Sequence, residues 1–261
     1  MRQPAVVRDF MRLFVLERLR RAGFDVGRWP RRPDGDVLGW SLAAVLTARQ
    51  VNCVLDVGAN RGQFGQQIRS LGYTGRIVSF EPSPAVFPAL SAVAARDGQW
   101  EVRPLALGAK SGEAELHLHV DSVFDSLHGD LARGAQPDSI GSFAEFTEVD
   151  RATVTLSTLA VEYPEAVAGI SEPRVLLKSD TQGNDLDVIA GAAGLPPQVV
   201  AVLVELSVQA IYEGQPRMTR MIDVLQEEGF TPVAFQPVSR SLDNLRVVEF
   251  DGLFMRPEAT A

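Results

Sequence analysis

A carboxylate followed by a glycine-rich turn is the part of this sequence most typical of a ligand site. The apolar run at 51–57 predicts a buried strand with Asp56 near its end, and the next residues, GANRG from Gly58 to Gly62, predict a tight turn into a helix. Glycines let the backbone approach a ligand closely, and the first turn of a helix offers free N–H groups. The segment therefore predicts a nucleotide-binding turn.

The spacing within this segment distinguishes between two kinds of nucleotide ligand. A dinucleotide fingerprint needs G-x-G-x-x-G, whereas this chain has D-x-G-x-x-x-G with its carboxylate before the glycines. A carboxylate at that point repels pyrophosphate, but it suits a ligand with no phosphate and a positive amino group, such as S-adenosylmethionine. Two alternatives stay open: a nicotinamide-dependent oxidoreductase on the same architecture, and a non-catalytic nucleoside-binding or assembly protein.

Glu81 adds a second acidic group to the predicted nucleotide site. It ends the second predicted strand, 25 residues after Asp56, where a carboxylate can accept hydrogen bonds from both ribose hydroxyls. Residues of the turn, of the loop after Glu81 and of the third strand are expected to complete the cofactor site. The predicted set is Asp56, Gly58, Ala59, Asn60, Gly62, Phe64, Glu81, Pro82, Ser83 and Ala106.

Asp180 and Glu205 form a second candidate centre. Asp180 ends the fourth predicted strand and Glu205 lies near the end of the fifth, so both are expected beside the reacting end of the cofactor. Two carboxylates there can share a Mg²⁺ ion, or one can act as the general base that a poorly nucleophilic hydroxyl needs. Ion pairing alone is the third interpretation, and Lys178, on the same side of the strand as Asp180, is expected to pair with an acid.

Further polar and aromatic residues are candidates for the acceptor site. Gln182 and Asn184 follow the fourth strand and either bind a ligand or serve as turn and helix-cap residues. Tyr212 and Glu213 follow the fifth strand and are predicted to line the acceptor pocket. His128, in a long loop, is a further candidate base or substrate contact. An apolar platform for a sugar is expected from Phe124, Phe143 and Phe146.

The elements that carry these residues alternate between strands and helices. Near-continuous apolar strands with helices between them predict an α/β fold, a doubly wound and mostly parallel sheet with an antiparallel last strand. Strands are predicted at 51–57, 76–81, 100–107, 113–120, 174–180, 198–206, 231–237 and 245–255, and helices at 37–49, 62–71, 84–96, 184–193 and 217–230. Residues 121–150 are predicted to be a long loop, of the kind that often covers a site.

Charge divides the chain into two parts. Residues 1–32 contain nine arginines and three acids, a net charge of +6. Because the whole chain has a net charge of −8, the remaining residues carry −14. We predict an N-terminal helical arm and linker over 1–50, with a helix at 4–22 and a linker at 29–36, followed by one domain over 51–261. The arm can contact anionic lipid peripherally, or pack on its own domain or on a second subunit of a homodimer.

Composition narrows the class of protein further. No apolar run approaches the roughly 18–20 residues of a membrane span, and no secretory signal is recognisable. The single cysteine, Cys53, lies in an apolar run and is expected to be a buried thiol. We therefore expect a cytoplasmic protein that acts on a small molecule or glycan, and not on nucleic acid, because phosphates repel a strongly acidic body.

Five segments together resemble the FkbM-type methyltransferases. They are VLDVGANRGQFG, IVSFEPSP, LLKSDTQGNDLDVIAGA, VELSVQAIYEGQP and VVEFDGLFMR, in the family's order over roughly 50–256, and D-x-Q-G is the most specific part. The resemblance implies a class I, Rossmann-like, S-adenosylmethionine-dependent O-methyltransferase that acts on sugars of glycolipids and polysaccharides or on polyketides. One departure is Asp185, where family members usually carry glutamate.

Overall fold

The computed structural model describes residues 37–129, 147–240 and 246–257, which form two sheets and six helices. The strands are β1 Cys53–Val57, β2 Arg76–Phe80, β3 Trp100–Arg103, β4 Ala106–Leu107, β5 Gly112–His119, β6 Glu148–Ser157, β7 Val175–Ser179, β8 Val199–Ser207, β9 Thr231–Arg240 and β10 Val247–Met255. The helices are α1 Val37–Ala48, α2 Gln63–Ser70, α3 Phe87–Ala94, α4 Leu159–Ala166, α5 Asp185–Ala190 and α6 Met218–Glu227.

The main sheet has seven strands in the order β3-β2-β1-β7-β8-β10-β9. The first five of these pair in parallel, and β10 runs antiparallel to both of its neighbours. This arrangement confirms the predicted Rossmann-like, mostly parallel sheet with an antiparallel last strand. The carboxyl ends of β2, β1, β7 and β8 consequently lie side by side at one edge of the sheet.

Both faces of the sheet are covered, which explains why its central strands are apolar throughout. Alternate residues of β1 point to opposite faces: Leu55 packs with residues of α4, α5 and α6, and Val54 packs with residues of α1, α2 and α3. Every residue of β1 and β7 is buried, including Cys53, as expected for strands that lie between two layers of helices.

A second, three-stranded sheet differs from the sequence-based expectation. The predicted strand 100–107 is two strands, because Pro104 lies between them and cannot donate to a strand ladder; β3 belongs to the main sheet and β4 to the small one. The predicted loop over 121–150 ends earlier than expected, since β6 begins at Glu148 and pairs with β5. Alternating Val154 and Leu156 on β6 bury against β5 in a small core of their own.

The described part of the predicted N-terminal arm packs into the domain. Helix α1 buries Leu42 and Leu46 in the cluster that covers β1 and β2, and it also contacts β9 and β10. The boundary at residue 50 stays a prediction, as do the helix at 4–22 and the linker, which lie outside the described residues. Within the described ranges, no helix is long and apolar enough to cross a bilayer.

Replacing Leu46 with alanine tests whether α1 belongs to the folded domain. Leu46 is 7% exposed, so Leu46→Ala should lower the free energy of unfolding by about 2–5 kcal/mol through lost burial and a residual cavity. Urea unfolding monitored by circular dichroism measures this change. The neighbouring exposed Thr47→Ala is the matched control, with an expected change within about 0.5 kcal/mol. Equal stability of both variants would show that α1 contributes little to the core.

Candidate functional site

One large cavity, of about 1020 Å³, follows the carboxyl edge of the main sheet. It begins at the loops after β1 and β2, passes the end of β7 and reaches β8, β10 and β9. Of the predicted site residues, those that line it are Gly58, Ala59, Asn60, Phe64, Glu81, Pro82, Ala106, Asp180, Gln182, Asn184 and Glu205. The predicted residues that lie outside its lining are Asp56, Gly62, Ser83, His128, Tyr212 and Glu213.

Glu81 lines the cavity at the end of β2, held by two backbone N–H groups. Asn60 N donates to Glu81 Oε2 at 2.7 Å, and Ser83 N donates to Oε1 at 2.8 Å. Burial raises the pKa of Glu81 to about 7, although these two hydrogen bonds act in the opposite direction. Each carboxylate oxygen keeps a further lone pair, so the pair of oxygens can still accept the two ribose hydroxyls of a nucleoside.

The glycine turn after β1 approaches the chain after β7 closely. Gly58 has a φ of +71°, and a Cβ atom there would overlap the carbonyl oxygen of Asp180. Gly62 has a φ of +84°, and a Cβ there would contact Leu90 and Trp100. The first glycine therefore lets two loops meet beneath the ligand, and the second lets α2 pack on the sheet.

Asp56 lies in the interior of the sheet and not in the cavity wall. Its neighbours across the strands are Ser79 on β2 and Lys178 on β7, which face it from either side. Ser79 Oγ donates to Asp56 Oδ2 at 2.9 Å, and Lys178 Nζ lies 3.3 Å from Oδ1. The structure thus differs from the expected contact between Asp56 and a ligand amino group, because both carboxylate oxygens face groups of the sheet itself.

Lys178 ties the turn after β1 to the end of β7. Its Nζ donates to Gly58 O at 2.8 Å and to Val57 O at 3.2 Å, and it lies 3.6 Å from Asp180 Oδ2. Burial lowers the pKa of this ammonium group, but the carboxylates of Asp180 and Asp56 more than offset burial, and the net direction is upward. The lysine therefore stays charged and holds both loops.

Gln182 stands between the two predicted catalytic carboxylates. Its Nε2 lies 3.3 Å from Asp180 Oδ1 and 3.4 Å from Glu205 Oε2, while Tyr212 Oη donates to its Oε1 at 3.3 Å. An amide donor in that position competes with a cation for the same oxygens. No group of three or more histidine, cysteine, aspartate or glutamate side chains that could hold a metal is present among the described residues. The magnesium interpretation of Asp180 and Glu205 stays a prediction, because Mg²⁺ needs only one or two protein carboxylates besides water.

Asp185 closes the loop that carries Asp180 and Gln182. Its Oδ1 accepts hydrogen bonds from Ser179 Oγ at 2.5 Å, from Thr181 Oγ1 at 3.0 Å and from Thr181 N at 3.1 Å. Burial raises the pKa of Asp185 to about 6. The shorter side chain at this position is thus fully used in the loop, which accounts for its place in the sequence without a ligand contact.

Three predicted residues lie behind the cavity wall or outside it. Tyr212 is 1% exposed, and its single hydroxyl proton faces two carbonyl oxygens, Gln182 Oε1 and, at 3.2 Å, Phe124 O. His128 stacks on Tyr212 with ring centroids 6.2 Å apart, so it supports the tyrosine. Glu213 is exposed. Asn184 lines the cavity and donates its Nδ2 to Leu107 O at 3.1 Å, which makes it a loop brace as well.

Residues 122–127 line the cavity and are hydrogen-bonded to the loops after β1, β2 and β7. Asn60 Nδ2 donates to Ser122 O at 2.9 Å, Ser83 Oγ donates to Asp125 Oδ2 at 3.0 Å, and Ser126 Oγ donates to Gln182 O at 2.7 Å. Phe124, one of the predicted platform residues, lines the cavity here, while Phe143 and Phe146 lie outside the described residues.

The last two strands form a wall of the cavity that the sequence-based predictions do not include. Glu249 and Asp251 of β10 line the cavity beside Glu205, together with Gln236, Val238 and Ser239 of β9. Burial and the neighbouring carboxylates of Glu249 and Asp180 raise the pKa of Glu205 well above its usual range. The signal for this wall was present, because Glu249 and Asp251 alternate along an otherwise apolar strand and so share one face.

Comparisons with known proteins show the family to which this chain belongs. The family model described as "Methyltransferase FkbM domain" matches residues 56–232. A search of curated proteins gave no significant match. The match to a methyltransferase family removes the nicotinamide-dependent oxidoreductase as an alternative.

Solved structures resemble this chain only at low sequence identity. The methyltransferase FkbM from Methylobacillus flagellatus KT is 12% identical with a TM-score of 0.44, and the alignment covers 78% of this chain and 43% of that one. The magnesium protoporphyrin IX methyltransferase from Synechocystis PCC 6803 with bound SAM is 14% identical with a TM-score of 0.44, over 94% and 96% of the two chains. The family assignment therefore depends on the sequence match over 56–232.

The buried carboxylate of Glu81 predicts a pH-dependent affinity for S-adenosylhomocysteine. Below pH 7 a growing fraction of Glu81 is protonated, and ribose hydroxyls then lose an ionised acceptor, so affinity should rise by up to about tenfold from pH 6 to pH 8. Glu81→Gln should weaken binding by about 1–3 kcal/mol and make it independent of pH over this range. Calorimetric titration measures both effects, with the exposed Glu113→Gln as the charge-matched control. An unchanged dissociation constant in Glu81→Gln would refute the ribose contact.

Lys178→Met should destabilise the protein more strongly than a surface lysine change does. Removing the ammonium group leaves Asp56 buried without its cation, which costs about 3–5 kcal/mol of the free energy of unfolding. The only other lysine, Lys110, is exposed, and Lys110→Met should change stability by less than about 0.5 kcal/mol. Denaturant unfolding at neutral pH compares the two variants. A stable Lys178→Met protein would mean that Asp56 is satisfied by Ser79 alone.

Proposed function

This chain belongs to the FkbM family of S-adenosylmethionine-dependent methyltransferases, and from that premise we propose that it methylates a hydroxyl oxygen of a sugar in a glycan, a glycolipid or a glycosylated natural product. The observation that carries this proposal is the length and lining of the cavity. Glu81 at one end and Glu249 at the other belong to strands four places apart, about 19 Å at the spacing of neighbouring strands. That length exceeds the needs of the cofactor's nucleoside alone.

The two ends of the cavity differ in chemistry in a way that supports one cofactor and one polar acceptor. The β2 end offers Glu81 for ribose hydroxyls and apolar Ala106 and Leu107 beside it. The β9 and β10 end offers Gln236, Ser239 and several carboxylates, which are hydrogen-bonding groups suited to a polyhydroxylated molecule. A phosphodiester acceptor would meet the acids unfavourably, because like charges repel at short distance.

The residues at the junction of the two ends support transfer without a metal. When bound, the cofactor supplies an activated methyl group, so the protein has mainly to position an acceptor oxygen and remove its proton. Asp180 and Glu205, the two bases proposed from the sequence, both line this part of the cavity. Gln182 occupies the space between their oxygens and thereby holds the two carboxylates in a defined geometry.

A product analysis tests this function. The purified full-length protein is incubated with methyl-labelled S-adenosylmethionine and a panel of methyl glycosides of neutral hexoses and deoxyhexoses, and products are located by mass spectrometry and NMR. We expect label on a hydroxyl oxygen of at least one glycoside, none on the matched glycoside that lacks that hydroxyl, and no loss of turnover in EDTA.

Three other results would contradict the proposal. Label on nitrogen or carbon would exclude O-methylation, and chelator-sensitive turnover that Mg²⁺ restores would show that the reaction needs a metal. Binding of S-adenosylhomocysteine with no turnover on any hydroxyl acceptor would favour a non-catalytic nucleoside-binding protein.

A further inference from the structure

Glu249 holds a buried carboxylate oxygen with no donor in the described structure. The residue is 5% exposed and lines the cavity, and its Oε2 accepts a hydrogen bond from Ser239 Oγ at 3.0 Å. Its Oε1 is buried and has no hydrogen-bond partner. A buried acceptor atom without a donor costs about 1–3 kcal/mol, so a proton or a ligand hydroxyl is needed there.

We propose that Glu249 is a catalytic residue, whose carboxylate binds the acceptor hydroxyl and takes its proton during methyl transfer, with Glu205 as the residue that shares this proton. This assignment rests on the proposed O-methylation and deepens it. Glu249 is favoured over Asp180 because Asp180 already has a cation, Lys178, at 3.6 Å, whereas the side chains that most affect the pKa of Glu249 are other acids and the Ser239 hydroxyl.

Carboxyl groups from several elements surround Glu249. From β9 comes the Ser239 hydroxyl, with Arg240 one residue further along the same strand, paired with Val247. The acidic neighbours are Glu205 of β8, Asp180 of the loop after β7, Asp185 of α5 and Asp251 of β10 itself. The loop after β8 contributes Tyr212. Burial raises the pKa of Glu249 to about 7, and the hydrogen bonds with Ser239 and Glu205 act in the opposite direction.

The chemical step balances with these two carboxyl groups. The acceptor oxygen forms a bond to the methyl carbon, the bond between that carbon and the cofactor's sulfur breaks with its electron pair on sulfur, and the hydroxyl proton passes to the carboxylate of Glu249. A protonated Glu249 can then donate to Glu205, and return of the proton to solvent restores the starting state. No oxidant, reductant or metal is needed.

Removing the acid function of Glu249 is the first test. Glu249→Gln should lower kcat by about 10²–10⁴-fold and leave the dissociation constant of S-adenosylhomocysteine within about twofold of the unmodified protein. Glu249→Asp should recover part of the lost rate, because the carboxylate is kept one methylene further back. The exposed Glu227→Gln is the charge-matched control and should retain full activity. A Glu249→Gln protein with normal kcat on a hydroxyl acceptor overturns the proposal.

Two further variants should move the pH profile in opposite directions, which a merely structural role would not do. Ser239→Ala removes a donor to the ionised form, so the pKa of Glu249 should rise and the acidic limb of kcat/KM should move to higher pH. Asp180→Asn removes a like charge that raises the pKa of Glu249, so the limb should move to lower pH. Ser70→Ala, an exposed change of the same kind as Ser239→Ala, should leave the limb in place.

The outcomes separate this proposal from the function on which it rests. Two results would keep O-methylation but reject Glu249 as the proton acceptor. One is methylation of a hydroxyl with an acidic limb that stays fixed in both pH-profile variants. The other is a loss of about 10²-fold or more in kcat in Glu205→Gln alone. Carbon-13 NMR of glutamate-labelled protein needs no acceptor: the resonance lost in Glu249→Gln should titrate near pH 7 and shift with Ser239→Ala and Asp180→Asn as above. A resonance that titrates near the ordinary glutamate value also rejects the proposal.

Discussion

The ammonium group of Lys178, buried between the carboxylates of Asp56 and Asp180, determines the geometry of the sheet edge where the cavity lies. It donates to the carbonyl oxygens at the end of β1 and at Gly58, so it joins the glycine turn to the loop after β7. These two loops meet so closely that no side chain fits at Gly58. Because a buried carboxylate without its cation costs several kcal/mol, the loops are held by charge and not only by apolar packing.

This ion pair also divides the acids of the cavity into two groups. Among the described residues that line it there are six carboxylates and one cationic side chain, Lys178. Asp180 has that lysine as a neighbour, whereas Glu205 and Glu249 have burial and like charges, which raise the pKa of each. The β7 side of the cavity is therefore electrostatically compensated, and the β10 side responds to protons near neutral pH.

The sequence predicts a feature well when that feature depends on residues that are close together along the chain. The parallel sheet, and the acids Glu81 and Asp180, could be predicted because parallel strands bring their carboxyl ends to one edge. Tyr212 was placed in the pocket wrongly, since a loop pattern does not show which side chains stand in front of which. Asp56 was predicted to contact a ligand, because the sequence does not show that its two partners, Ser79 and Lys178, lie beside it on neighbouring strands. Glu249 was missed because its neighbourhood with Glu205 arises only when β10 inserts beside β8.

The uncompensated charge on the β10 side is consistent with the reaction that the family performs. In the proposed step a positive sulfonium group and a negative carboxylate both become neutral, so the contents of the cavity lose charge as the methyl group moves. A buried site disfavours isolated charges, and it therefore favours a step that removes two of them together. An arginine or lysine beside Glu249 would satisfy its free oxygen but would also hold it as a carboxylate and oppose the proton transfer. The proposed chemistry thus requires that Glu249 have no arginine or lysine beside it. At the same sheet edge the buried Asp56 requires a cation, and Lys178 supplies it.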